Sequence, residues 1–115
     1  MDILGFIFSA NKKRKKKNEN LDRRFIKLAE EVGEACQAYY SVTSKNNSKN
    51  KTWGDVREEL CDVVIVALDI LFTEMPDETD FKNPKKELTD RIEKEIRRKA
   101  EAKWATTSTK GDDDD

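Results

Sequence analysis

The sequence predicts an all-α fold, and three observations lead to that prediction. Only four Gly and two Pro occur in 115 residues, whereas Lys, Glu, Ala and Leu are frequent, a composition that favours helices. Apolar residues recur at three- and four-residue steps along 21–42 and again along 53–72. Polar stretches at 43–51 and 75–86 separate the periodic segments. We therefore expect a helical bundle with two long central helices.

The first central helix is expected to run from Leu21 to about Val42. Its apolar positions follow the helical repeat: Leu21, Phe25, Leu28, Val32, Ala35, Cys36 and Tyr39. Asn20 or Asp22 can cap its start, because short polar side chains accept hydrogen bonds from the first turn. The loop 43–51 that follows could be a plain connector or a gate over a substrate.

The second central helix is expected to begin near Trp53, with Thr52 or Asp55 as its cap. Its stretch 63–71 is apolar almost all round, apart from Asp69. A helix of that kind is buried on more than one side. A short chain with 41% charged residues cannot cover it alone, so we expect a homodimer or homotetramer. Asp69 could contact and orient the ligands of a metal site without binding the metal itself, or it could make a polar contact within the bundle.

The rest of the chain divides around these helices. Pro76 should stop the second helix, and a last helix should run from Pro84 or Glu87 to about Trp104. The predicted organisation is an apolar and basic arm at 1–20, a helical domain at 21–104 and a disordered acidic tail at 105–115.

The N-terminal arm combines an apolar stretch at 1–10 with an unbroken basic run at 12–17. It could pack on the domain or on a partner subunit, or lie on a membrane surface. Nucleic acid is not an expected partner, because no aromatic side chain is interleaved with the basic run and the net charge is -1. No stretch reaches the roughly 20 apolar residues of a membrane span, and the arm is a poor signal peptide. A cytoplasmic location is expected.

The absence of His narrows the available chemistry. It excludes Ser-His-Asp and Cys-His nucleophilic sites. A zinc site is also not expected, because the chain offers only two cysteines and no histidine as ligands. Cys36 and Cys61 are expected to be reduced thiols in the core. Any catalysis must therefore use carboxylates, Lys, Arg and a metal ion.

Two acidic motifs supply suitable carboxylates: residues 30–34 read EEVGE and residues 58–62 read EELCD. In each, the second Glu and the last acid are three residues apart, which places them on one helix face. If the two helices pack together, Glu31, Glu34, Glu59 and Asp62 converge. Four anions so close repel one another unless they surround a cation, and oxygen ligands suit Mg²⁺ or Mn²⁺.

These motifs resemble a known family. The string AEEVGEA at 29–35, followed by EELCDVV at 58–64, is similar to the ExxE…ExxD pattern of MazG-type nucleoside triphosphate pyrophosphohydrolases, an all-α superfamily. The resemblance covers roughly 21–104. It implies Mg²⁺-dependent hydrolysis of a (deoxy)nucleoside triphosphate to the monophosphate and pyrophosphate, with Mn²⁺ as a substitute. It also implies an acidic site between the two central helices, completed by oligomerisation.

The resemblance assigns roles to individual residues. Glu31, Glu34, Glu59 and Asp62 would be the metal ligands and the catalytic carboxylates. The segment 94–98 (KEIRR) resembles a K-x-x-R-R motif of the late helix in some members. Accordingly Lys94, Arg97 and Arg98 would contact phosphate, or else form ion pairs on a solvated face.

Two further positions near the second acidic helix are candidates. Trp53 could stack on the base or serve only as a structural aromatic residue. Some members carry a lysine where this chain has Asp55, and Lys51 or Arg57 could replace it. The alternative to an enzyme is a non-catalytic helical protein-interaction module, in which the acidic pairs are ordinary surface charges.

Overall fold

In a computed structural model, the protein is α-helical, and every regular element in residues 2–14, 20–47, 49–73 and 81–111, the part described, is a helix. The elements are α1 (Ile3–Arg14), α2 (Leu21–Thr43), α3 (Trp53–Leu71) and α4 (Pro84–Gly111). The chain divides into two compact units, Met1–Glu78 and Thr79–Asp115. Among the described residues, no helix combines the length and the apolar character needed to cross a membrane. The all-α prediction is confirmed.

Helices α2 and α3 begin where the sequence predicts because both starts are capped. The Asn20 side chain accepts a hydrogen bond from the Arg23 amide at 2.9 Å. At α3 both candidate caps take part, since the Asp55 amide donates to Thr52 Oγ1 and the Thr52 amide donates to the Asp55 carboxylate. This reciprocal capping box satisfies amides that have no partner inside the helix.

Helices α2 and α3 form an antiparallel hairpin across the loop 44–52. Tyr39, late in α2, contacts Trp53 at the start of α3, whereas Arg24, early in α2, forms an ion pair with Asp69, late in α3. Buried alanines of α2 and buried branched residues of α3 supply the apolar contact of this unit: Ala35, Ala38, Val56, Val66 and Ile70.

Helix α1 packs on the C-terminal end of α3. The Phe8 and Phe72 rings meet edge to face, with centroids 5.6 Å apart, and Phe72 is fully buried. The Lys12 ammonium donates to the Phe72 carbonyl at 2.8 Å, which satisfies a carbonyl left over at the helix end. Of the readings for the N-terminal arm, packing on the domain is therefore the one seen for residues 3–14. Lys15–Lys17 lie outside the described residues.

The carboxylate of Asp69 is buried and joins α1, α2 and α3. Arg14 and Arg24 both form ion pairs with it, and Asn11 donates to its Oδ1 at 3.0 Å. Asn11 and the Thr73 hydroxyl also donate to the Asp69 carbonyl. Of the two readings left open for Asp69, the structure supports the polar contact within the helical unit.

Several boundaries differ from the sequence-based expectation. Helix α3 ends at Leu71, before Pro76, and side chains from α1 cap its last turn. Helix α4 continues to Gly111, past the expected end near Trp104 and into the segment expected to be disordered. The remaining tail, 112–115, lies outside the described residues.

The expectation of buried thiols is wrong, because Cys36 and Cys61 are both exposed. Each lies on a helix face whose apolar neighbours are exposed as well. On α2 these are Val32 and Tyr39, and on α3 they are Leu60, Val64 and Ile65. The helical repeat correctly marks an apolar face, but among the described residues of the unit Met1–Glu78 no helix covers this one.

Candidate metal centre

The antiparallel hairpin brings three of the four predicted acids together. Carboxylate oxygens of Glu31, Glu34 and Glu59 lie within 4.8 Å of one another. Glu31 is buried, with 7% of its surface exposed, while Glu59 is partly buried and Glu34 is exposed. Two carboxylates from one turn of α2 therefore face one carboxylate of α3.

Asp62, the fourth predicted ligand, is exposed and lies outside this group of three. It is on α3, one turn after Glu59, and its charge still acts on Glu59. The structure thus places Asp62 at the edge of the acidic cluster (Glu31, Glu34, Glu59). Its role as a ligand stays a prediction.

Glu59 shows the electrostatic cost of the cluster. Burial raises the pKa of its carboxyl above the usual value, and the charges of Glu34, Asp62 and Glu31 raise this pKa further. Lys51 acts in the opposite direction. The carboxylate form of Glu59 is therefore disfavoured in the metal-free protein, as expected when anions crowd together without a cation.

Two oxygens of the cluster have no hydrogen bond within the described part of the chain. Among the residues that the structure describes, neither Glu31 Oε1 nor Glu59 Oε1 has a hydrogen-bond partner, although both atoms are buried. Buried polar atoms are nearly always hydrogen-bonded, because leaving them unpaired costs free energy. Carboxylates that converge from two helices, two of which carry a buried oxygen without a hydrogen bond, are a fitting arrangement for a cation.

The donor set also suits a hard divalent metal ion. The acidic cluster offers only carboxylate oxygens, and Mg²⁺ and Mn²⁺ prefer oxygen ligands. Glu31, Glu34 and Glu59 would hold the ion, and Asp62, one turn after Glu59 on α3, would be the next available carboxylate. Each of the two helices would then contribute ligands, so binding would also tie α2 to α3.

One neighbour of the cluster was not anticipated from the sequence. Lys27 lies one turn before Glu31, and its ammonium is 3.0 Å from Glu31 Oε2. The hydrogen bond and the charge of Glu31 raise the pKa of Lys27. The i, i+4 spacing of Lys27 and Glu31 was the available signal, since such pairs meet on a helix surface.

Side-chain hydrogen bonds brace the chain between α2 and α3 at Asn47 and Lys51. The Asn47 side chain accepts from the Lys51 amide at 3.1 Å and donates to the Lys51 carbonyl at 2.8 Å. Asn50 has a positive φ of 52°, a conformation that Asn tolerates better than most residues. These hydrogen bonds fix the backbone at Lys51, whose charge lowers the pKa of Glu59.

Trp53 is half-exposed at the start of α3 and belongs to an aromatic group. Its ring centroid is 6.1 Å from that of Tyr39, and the Tyr39 and Tyr40 centroids are 6.0 Å apart. All three side chains are exposed. Open aromatic faces remain available at this end of the hairpin, and base stacking by Trp53 stays a prediction.

The basic residues predicted on the last helix lie in the second unit. Arg97 pairs with Glu93 at 2.9 Å and Arg98 with Glu95 at 2.6 Å, both within α4. The hydrogen bond to Glu95 raises the pKa of Arg98. Lys94 is exposed on the same helix. These pairs are those of a solvated helix face, and phosphate contact by the three residues stays a prediction.

Comparisons with protein-family models, curated proteins and solved structures found no match to this chain. The case for a function therefore rests on the acidic cluster, on the residues around it and on the resemblance of the two motifs.

Proposed function

We propose that the protein is a metal-dependent nucleoside triphosphate pyrophosphohydrolase with a MazG-like helical fold. The observation that carries the proposal is the convergence of Glu31, Glu34 and Glu59 from two helices. Two buried oxygens of these residues lack hydrogen bonds to any residue that the structure describes. The product pair would be a nucleoside monophosphate and pyrophosphate. The resemblance of the EEVGE and EELCD motifs supports this reaction.

The protein's own residues would first assemble the metal centre. Glu31, Glu34 and Glu59 would bind Mg²⁺ or Mn²⁺, and Asp62 would complete the set from the next turn of α3. Bound Mg²⁺ neutralises phosphate oxygens and can activate water for attack on phosphorus. The burial of Glu31 and the partial burial of Glu59 would strengthen their attraction for a cation, because fewer water molecules screen it.

Other residues would position the nucleotide. Trp53, supported by Tyr39, offers an aromatic surface to a base. Lys51, whose backbone amide donates to Asn47 and whose charge lowers the pKa of Glu59, would suit a phosphate oxygen. Lys94, Arg97 and Arg98 are further candidates for phosphate contact. To bind phosphate, Arg97 and Arg98 would have to leave their glutamate partners.

A second candidate function is a helical protein-interaction module. The exposed apolar side chains on α2 and α3 favour it, because contiguous exposed apolar surface marks interaction sites. The same surface would be covered by a second copy of the chain if the enzyme is oligomeric. Hydrolysis of nucleoside triphosphates distinguishes the two candidates, because only the enzyme would catalyse it.

The decisive experiment is a panel of ribo- and deoxyribonucleoside triphosphates incubated with Mg²⁺, with the products separated by chromatography. Monophosphate and pyrophosphate should appear, and chelation of Mg²⁺ should stop the reaction. Glu34→Gln should be inactive, whereas Glu30→Gln, at an exposed neighbour outside the cluster, should remain active. Release of diphosphate and orthophosphate, or full activity in chelator, would refute the proposal.

A further inference from the structure

The ion pair between Lys27 and Glu31 joins two side chains with different surroundings. The Glu31 side chain is 9% exposed, whereas the Lys27 side chain is 46% exposed, and the ammonium lies 3.0 Å from Oε2. The carboxylate is therefore fixed within the hairpin, while the lysine reaches it from the solvent side. A long lysine side chain can move its charged end into water and keep its apolar stem on the helix.

The two oxygens of Glu31 are used differently. Oε2 faces Lys27, whereas Oε1 is buried without a hydrogen bond among the described residues and Glu31 belongs to the acidic cluster. A charged carboxylate that is buried with no counter-charge is strongly destabilising. Lys27 supplies that counter-charge in the metal-free protein.

We propose that Lys27 is the internal counter-cation of the metal centre, which holds Glu31 while the metal is absent and withdraws when a divalent ion binds. The inference rests on the proposed metal site and adds a residue that opposes metal binding. A divalent ion on Glu31 would lie within a few ångströms of the ammonium, and like charges repel. At about 5 Å in a water-like medium, this repulsion is worth on the order of tenfold in affinity.

The test measures Mn²⁺ binding without nucleotide, by electron paramagnetic resonance of free Mn²⁺. Lys27→Met should bind Mn²⁺ on the order of tenfold more tightly than the unmodified protein, and Lys27→Gln should behave similarly while still donating a hydrogen bond to Glu31. Lys27→Arg keeps the charge and should bind as the unmodified protein does. Lys86→Met is the matched control, since Lys86 forms an i, i+4 pair of the same 3.0 Å length with Asp90.

Thermal unfolding provides a second measurement. Lys27→Met leaves Glu31 without its counter-charge, so its melting temperature should fall in chelator and recover with Mn²⁺. The increase caused by Mn²⁺ should exceed that of the unmodified protein and of Lys86→Met. If Lys27→Met does not fold in chelator, Lys27→Gln replaces it in both measurements.

The outcomes separate the two proposals. If the unmodified protein binds no Mn²⁺, the proposed metal centre fails, and the role of Lys27 fails with it. If the unmodified protein binds Mn²⁺ but the affinity is unchanged or weaker in Lys27→Met and Lys27→Gln, only the counter-cation role is overturned. The counter-cation role is supported if Lys27→Met and Lys27→Gln bind Mn²⁺ more tightly while Lys27→Arg and Lys86→Met bind it as the unmodified protein does.

Discussion

Two buried carboxylates of the α2–α3 hairpin, Asp69 and Glu31, differ in how their charges are compensated. Asp69 is paired with Arg14 and Arg24 and accepts a hydrogen bond from Asn11. Glu31 is paired on one oxygen by Lys27, and its other oxygen is buried without a hydrogen bond among the described residues. Asp69 Oδ2 also has no hydrogen bond among the described residues, but it forms an ion pair with Arg24, so the charge of Asp69 is compensated by the fold itself. The charge of Glu31 is compensated only in part, which is why it suits a metal ligand.

At the same scale, Glu59→Gln should raise the melting temperature of the metal-free protein at neutral pH. The folded-state pKa of Glu59 is raised, so its charged form costs stability once the pH exceeds the unfolded value near 4.3. As the pH falls through the raised pKa toward 4, Glu59 becomes protonated and the difference between variant and unmodified protein should shrink.

Calorimetry in chelator at a series of pH values checks this, with Mn²⁺ binding measured in parallel. Glu59→Gln should also lose Mn²⁺ binding and hydrolysis. The compared quantity is the melting temperature of Glu59→Gln minus that of the unmodified protein. If this difference is smaller at neutral pH than at pH 4, repulsion within the cluster is contradicted. Glu58→Gln, the exposed neighbour on α3, is the control and should change neither property.

Trp53→Ala should raise KM for the best nucleotide substrate by roughly ten- to hundred-fold, the equivalent of one stacked base. Stacking is similar in the ground and transition states, so kcat should stay nearly unchanged. Steady-state kinetics measures both constants, and circular dichroism checks the helix content. An unchanged KM would remove Trp53 from the site, whereas a loss of helicity would support a structural role at the start of α3.

At the scale of elements, a polar network and an aromatic pair attach α1 to the hairpin. Asn11, Lys12 and Arg14 all contact the last turns of α3, and Phe8 packs against Phe72. Many of these contacts meet at a single side chain, Asp69. This concentration makes Asp69 the position where one substitution affects three helices.

Asp69→Ala should therefore lower the free energy of unfolding by about 3–5 kcal/mol, the usual cost of breaking a buried ion pair. The loss leaves Arg24, whose side chain is only 13% exposed, without this counter-charge. Chemical denaturation followed by circular dichroism measures the change. Asp90→Ala is the control, because its exposed pair with Lys86 should contribute at most about 1 kcal/mol. Equal stability losses in both variants would contradict the central role of Asp69.

At the scale of the whole molecule, α2 and α3 carry large apolar side chains that are exposed in the described part of the chain. Within the stretch 63–71, Val66 and Ile70 are buried, whereas Val64, Ile65 and Leu71 are exposed. On α2 the exposed positions Phe25, Val32 and Tyr39 repeat every seven residues and so share one face. Such a surface is unusual for a monomer, and it is the observation that favours an oligomer.

The protein is therefore expected to be a homodimer or homotetramer in solution. Light scattering at micromolar concentration should give a multiple of the 13.3 kDa chain mass. Val64→Lys should shift the mass toward the monomer, because it places a charge in the uncovered apolar face. Ile3→Lys, at an exposed apolar position on α1, is the control and should not. A monomer mass for the unmodified protein would contradict the expectation.

The sequence by itself determined the two central helices, the caps at their starts and the shared face of Glu31 and Glu34. These features depend on residues within about one turn of one another. Asn20, Thr52 and Asp55 act on amides three residues away, and the apolar repeat needs only the helical period. For the same reason the sequence could predict that Glu31 and Glu34 share a face, and could suggest that Glu59 lies opposite.

Only the tertiary structure decided which of these faces meet. It brought Glu59 to Glu31 and Glu34 but left Asp62 at the edge, and it gave Asp69 partners from two other helices. It also left Cys36 and Cys61 exposed. The helical period marks an apolar or acidic face but carries no record of what covers it, because that contact joins residues distant in the chain.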